Sequence, residues 1–151
     1  MKKALYVLLA LSIFSACDDS DDDNRSNGDV EKVENIAMNG LWRITYFFDT
    51  DKEETDNFNG YTFDFNNGNV LTATNGSNTY SGTWSVTDDG SGDDNNDDFD
   101  DIDFNIGFSN PDDFEELTED WEIISLSNTK MELRHISGGN GGTDLLTLER
   151  I

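Results

Sequence analysis

The sequence predicts an all-β fold, an eight-stranded antiparallel up-and-down barrel with one short helical insertion. Three observations carry that expectation. From Gly40 onward, apolar and polar residues alternate with a period of two in one run after another. Short turns rich in glycine and asparagine separate the runs, which is the punctuation of antiparallel strands. Ten phenylalanines and three tryptophans against a single proline supply a packed core, although 28% of the residues are charged.

Each element follows from its local pattern. In the first strand Trp42, Ile44, Tyr46 and Phe48 alternate with Arg43 and Thr45. Tyr61, Phe63 and Phe65 define the second, and Asn66-Asn67-Gly68-Asn69 is a turn able to adopt positive φ before the third, Val70 to Thr74. Asn75-Gly76-Ser77-Asn78 turns into the fourth, marked by Tyr80, Gly82, Trp84 and Val86. After the acidic stretch 88–98, which has no hydrophobe, Ile102, Phe104, Ile106 and Phe108 make the fifth. Pro111 to Leu117 reads as one or two helical turns, with Asn110 as cap and Pro111 in the first helical position. Acidic residues at 112, 113, 115 and 116 suit the N-terminal end of the dipole. Trp121 to Leu126, Met131 to Ile136 and Asp144 to Ile151 supply the last three strands.

A meander of eight strands left open keeps two edges that invite aggregation, and closure removes both. Closure sets a specific demand. The first and last strands become antiparallel neighbours, so Gly40-Leu41-Trp42 sits beside Glu149-Arg150-Ile151. Strand parity then turns Trp42 and Arg150 inward at the same end, where the guanidinium can stack on the indole. The competing arrangement is an open β-sandwich. Inward parity also gathers Tyr46, Tyr61, Phe63, Tyr80, Trp84, Phe104, Trp121 and Met131 as candidate ligand-lining residues. An eight-stranded barrel is just wide enough to be filled by such side chains or to hold one small ligand.

Gly40-Leu41-Trp42 with an arginine in the last strand resembles the lipocalin (calycin) arrangement. Tyr80 to Trp84, Trp121 to Leu126 and Leu148 to Ile151 resemble segments of the lipocalin-like domains of bacterial lipoproteins. The resemblance runs from Asn39 to Ile151 and implies a barrel domain over 39–151, closed by Gly40, Trp42 and Arg150.

The N-terminus points to a compartment. Lys2 and Lys3 precede an apolar stretch, Leu5 to Phe14, that ends in Phe14-Ser15-Ala16-Cys17. Roughly ten apolar residues are too few to cross a hydrocarbon core, which needs about 20. The pattern resembles a bacterial lipoprotein signal peptide with its lipobox. That implies cleavage after residue 16, lipidation of Cys17 and a membrane anchor. Residues 17–38 then read as a disordered acidic tether, without hydrophobes between Asp18 and Asp29. Within it Ser20-Asp21-Asp22-Asp23 resembles the lipoprotein export signal of Bacteroidetes, which implies display on the outer face of the outer membrane. An acidic spacer with no address value is the alternative. A third is inner-membrane retention, which an aspartate in the position of Asp18 signals in other Gram-negative lineages.

Charge and composition exclude whole classes of function. Removing residues 1–16 takes away Lys2 and Lys3, leaving seven basic against 33 acidic residues and a net charge of −26. Phosphate backbones repel such a chain, so no nucleic-acid partner is expected. Cys17 is the only cysteine; once lipidated it leaves no disulfide and no thiolate metal site. His135 is the only histidine, shares parity with Met131 and Leu133, and reads as a barrel-lining or rim imidazole; no enzyme is expected. Asp93, Asn95 and Asp97 have the alternating oxygens of a calcium loop, but Asp98 replaces its glycine and no glutamate follows at the twelfth position. Weak divalent-cation binding is expected there, with no cofactor and no built metal site. Two functions remain: a barrel that binds a small apolar or aromatic ligand, or a non-catalytic structural or interaction lipoprotein of the envelope with a filled barrel.

Overall fold

The computed structural model describes residues 22–88, 90, 99, 101–138 and 141–151, with side chains described from residue 28 onward. An N-terminal helix α1 (Asp22–Met38) leads into β1 (Leu41–Asp49), a two-residue β2 (Lys52–Glu53) and a 3-10 turn, Thr55–Phe58. Next come β3 (Thr62–Asn66), β4 (Val70–Thr74), β5 (Thr79–Asp88), β6 (Ile102–Gly107) and the short helix α2 (Asp112–Glu115). The strands β7 (Glu119–Leu126), β8 (Lys130–Ile136) and β9 (Thr143–Arg150) complete the chain. From β3 to β9 every strand pairs antiparallel with the next, and β1 pairs with both β3 and β9. The eight long strands therefore form a closed barrel. Strand β2 only prolongs the far end of β1, through Phe48↔Glu53 and Asp49↔Lys52.

Closure has the expected register. Trp42 pairs with Arg150, Arg43 with Glu149 and Ile44 with Leu148. The opposite seam is short, with Leu41↔Asp64 and Trp42↔Phe63 the two described pairs between β1 and β3. Turn chemistry matches backbone geometry between β3 and β4, where Gly68 (φ 77) and Asn69 (φ 64) both lie in the left-handed region. Alternation then places Phe63, Phe65, Leu71, Ala73, Phe104, Met131, Leu133, Leu146 and Leu148 in the core at 2% exposure or less.

The N-terminal segment departs from the sequence reading. A disordered tether was expected to Met38, whereas the chain is helical from Asp22. The cause is an apolar stripe at helical spacing: Val30, Val33, Ile36 and Ala37 face the barrel, with Val33 and Ala37 fully buried. The acidic average of the segment conceals that stripe. Asp22 and Asp23 of the candidate export signal lie in the first turn of α1, while Cys17, Ser20 and Asp21 lie outside the described residues.

Two further corrections are local. A β-bulge falls between Ile44 and Tyr46, where the register jumps from Ile44↔Leu148 to Tyr46↔Thr147. The extra residue reverses the parity beyond it, so Phe47 is fully buried and Tyr46 faces outward at 38% exposure. At α2, Pro111 (φ −71, ψ 175) occupies the cap position expected for Asn110, and no side chain caps the helix. Instead the Pro111 carbonyl accepts from the backbone N–H groups of Phe114 and Glu115, at 2.8 and 3.1 Å.

Candidate functional site

The barrel has two unlike ends. At the closed end the indole Nε1–H of Trp42 donates to the Ala37 carbonyl at 2.8 Å, and Arg150 Nη2 donates to the Ile36 carbonyl at 3.0 Å. The Arg150 guanidinium lies 5.0 Å from the Trp42 ring centre. Gly40 (φ +125) makes this stack possible, because a Cβ there would come 3.2 Å from Arg150 Cδ. Gly40, Trp42 and Arg150 thus close the barrel together, with α1 laid over them.

The open end is built from aromatic rings. Phe58, on the 3-10 turn, and Phe114, on α2, enter the mouth from two separate connections and meet at 5.3 Å. The Phe114 ring also lies 5.0 Å from Tyr61, 6.0 Å from Phe63, 4.9 Å from Tyr80 and 5.1 Å from Phe108. Tyr61 and Tyr80 stack on each other at 5.8 Å. Two polar contacts hold this arrangement. Thr118 Oγ1 accepts from the Phe108 backbone N–H at 2.9 Å and donates to the Phe108 carbonyl at 3.0 Å, pinning the connection that carries α2. Asn57 Nδ2 donates to Asp113 Oδ1 at 3.4 Å, tying the 3-10 turn to α2. The neighbouring Tyr61 side chain, by its hydrogen bond, raises the Tyr80 hydroxyl above its ordinary value.

Of the candidate ligand-lining residues, Tyr61, Phe63 and Tyr80 meet at the mouth. Trp84 and Phe104 form a second group with Phe65, at 5.4 and 5.3 Å from its ring. Trp121 and Met131 are fully buried, Trp121 donating its Nε1–H to the Leu117 carbonyl at 3.1 Å. Tyr46 does not line the interior. Phe47, Phe58 and Phe114 do, and parity could not have found them. Phe47 follows a bulge, and the other two stand alone in acidic runs, Thr55-Asp56-Asn57-Phe58 and Asp112-Asp113-Phe114-Glu115.

Carboxylates crowd the rim around the mouth. Asp49, Glu54 and Glu116 bring oxygens within 4.8 Å of one another, and Lys52 pairs with Glu54. Burial, reinforced by Asp49, pushes the Glu116 carboxyl above its ordinary value. His135 lies on the same rim, half-buried, with Nε2 3.3 Å from Glu119 and Nδ1 3.3 Å from Asp120. Burial also raises Glu119, with the His135 ring acting in the opposite direction. The rim therefore favours cations over anions. Asp93, Asn95 and Asp97 lie outside the described residues, so the calcium-like pattern has no geometry to be set against it.

Comparison with protein-family models, with curated proteins and with solved structures found no match.

Proposed function

We propose that this chain is a lipid-anchored lipoprotein of the outer membrane, displayed at the cell surface, whose lipocalin-like barrel is a filled scaffold acting through its exterior without catalysis. One observation carries the filled reading. Phe114 occupies the mouth where an aromatic ligand would stack, in ring contact with Phe58, Tyr61, Phe63, Tyr80 and Phe108. Below it Phe47, Phe65, Phe104, Trp121 and Met131 are buried to within 1%. The anchor rests on the Phe14-Ser15-Ala16-Cys17 pattern and the surface address on Ser20 to Asp23.

A second reading, capture of a small apolar or aromatic ligand, has a specific observation in its favour. Phe114 is held by a helix of only four residues, and its departure would leave a cage of five rings. Native mass spectrometry of protein purified from its own envelope separates the two. The filled scaffold gives the mass of the acylated polypeptide alone; a retained small molecule overturns it. Cys17→Ser is expected to abolish sedimentation with outer membranes, and continued membrane association of a mature acylated species would remove the anchor from the proposal.

A further inference from the structure

Away from the mouth, on the outer wall near the closed end, two cavities of about 180 and 190 Å³ adjoin and share Asn69, Trp84 and Ser85. The first reaches across the Asn66 to Asn69 turn to Glu34 and Met38 of α1. The second runs along β5 and β6 over Thr83, Asn105 and Gly107. Together they make one groove whose polar side chains, among the described residues, are amides and hydroxyls with a single carboxylate, on a chain of net charge −24.

The amides are held in a definite sense. Asn66 Nδ2 donates to the Asp64 carbonyl at 3.1 Å, Asn69 Nδ2 to the Trp84 carbonyl at 3.0 Å, and Asn105 Nδ2 to Thr87 Oγ1 at 2.9 Å. Their NH2 groups are thus bonded to the barrel wall, and their oxygens remain as acceptors. Trp84 is fixed from behind by its Nε1–H donating to the Asn66 carbonyl at 2.9 Å. Gly107 keeps the floor of the second cavity low, since a Cβ there would approach Thr83 Oγ1 to 2.8 Å.

This donor and acceptor set discriminates among ligand classes. An anion meets Glu34 and the acidic surface, so repulsion opposes it. Among the described residues a cation finds one carboxylate here, Glu34, against the clusters on the rim. An apolar ligand would cover amides and hydroxyls without pairing them, which is costly. A neutral polyhydroxylated ring would match this set: its hydroxyls could donate to Glu34 and to the asparagine oxygens and exchange hydrogen bonds with Thr83 and Ser85, with Met38 available to its C–H face.

We propose that the Glu34–Asn69–Ser85–Asn105 groove binds a neutral saccharide, free or as part of a glycan chain. The proposal is independent of whether the barrel interior holds a ligand. The test is a 1H–15N NMR titration of the mature chain carrying Cys17→Ser, with maltotriose, cellotriose, chitotriose and a sulfated heparin disaccharide. Saturable shifts are expected for at least one neutral trisaccharide, confined to residues 34–38, 66–69, 83–85 and 105–107, with dissociation constants on the order of millimolar. The sulfated sugar should leave those amides unmoved. Ser85→Arg, which fills the shared part of the groove, should weaken binding by about tenfold or more. Asn69→Gly keeps the positive φ, removes one amide oxygen and should weaken binding less. Both variants are to be compared with the parent by thermal melting. No saturable shift with any neutral sugar, equal shifts with the sulfated one, or undiminished binding by a folded Ser85→Arg protein would overturn the proposal. Shifts at Phe58, Tyr61, Tyr80 and Phe114 instead would overturn it in favour of a site in the mouth.

Discussion

Trp42 and Arg150 stand opposite each other across the β1–β9 seam, almost the whole domain apart in sequence, with the guanidinium 5.0 Å from the indole ring. Each also anchors α1: Trp42 through the Ala37 carbonyl, Arg150 through that of Ile36. The pair therefore joins barrel closure to helix docking. Trp42→Ala should cost ~3–5 kcal/mol as a large core truncation, and Arg150→Ala less. A double-mutant cycle read by urea denaturation should give a coupling of ~0.5–2 kcal/mol. Additive effects would mean that the stack contributes nothing to closing the barrel.

The closure register was legible because it follows from parity and an even strand number, two properties that survive ignorance of side-chain detail. The same parity failed beyond Ile44, because a bulge adds one residue and the sequence Arg43-Ile44-Thr45-Tyr46 carries no glycine or proline to announce it. The swap is measurable. Phe47→Ala should cost ~3–5 kcal/mol, while Tyr46→Ala, on the outer face, should cost under ~1 kcal/mol. Comparable losses from both would restore unbroken alternation and remove the bulge.

Helix α1 escaped the sequence reading for a different reason. The acidic residues of 17–38 dominate its average, and the four apolar positions that dock it, 30, 33, 36 and 37, fall at helical, not strand, spacing. Only contact with the closed end gives them something to bury against, and that surface is assembled from strands far away in sequence. Val33→Asp should therefore cost ~3 kcal/mol or more, because it buries a charge without a partner. Glu31→Gln, on the exposed side, should change stability by less than ~0.5 kcal/mol. Equal tolerance of both in denaturant melts would mean that the segment does not dock.

Phe114 was hidden by its context, one ring within Asp-Asp-Phe-Glu, yet it has more aromatic neighbours than the residues that parity assigned to the interior. Phe114→Ala should cost ~3–5 kcal/mol and open a space bounded by Phe58, Tyr61, Tyr80 and Phe108. Apolar cavities of that kind stay dry and admit small aromatics. Benzene or indole should raise the melting temperature of Phe114→Ala and leave that of the parent unchanged. Stabilisation of the parent by the same probes would show that its mouth already opens, which favours the ligand-binding reading over the filled one.

The carboxylates give the barrel a pH response whose sign can be worked out residue by residue. Burial, with Asp49 and Asp113 nearby, raises Glu116 above the ordinary 4.5, and burial with Asp144 and Asp120 raises Glu119. A raised carboxyl binds its proton more tightly in the folded than in the unfolded chain, so stability falls as pH climbs from the ordinary value through the raised one. Glu132 has the opposite sign. Its contact with Lys130 at 2.6 Å, and then its bond from Ser125, lower it, so its contribution is present above the ordinary value and is lost as pH falls through the lowered one. Glu116→Gln and Glu119→Gln should each be more stable than the parent near neutral pH, with the advantage shrinking to nothing below the ordinary glutamate value of 4.5. Glu132→Gln should be less stable near neutral pH and converge with the parent in acid. Added salt should narrow the Glu116 and Glu119 differences by screening the neighbouring carboxylates. Urea midpoints across that range check all three variants together. A Glu116→Gln protein no more stable than the parent near neutrality would mean that burial and the Asp49 carboxylate do not penalise the Glu116 charge on the rim.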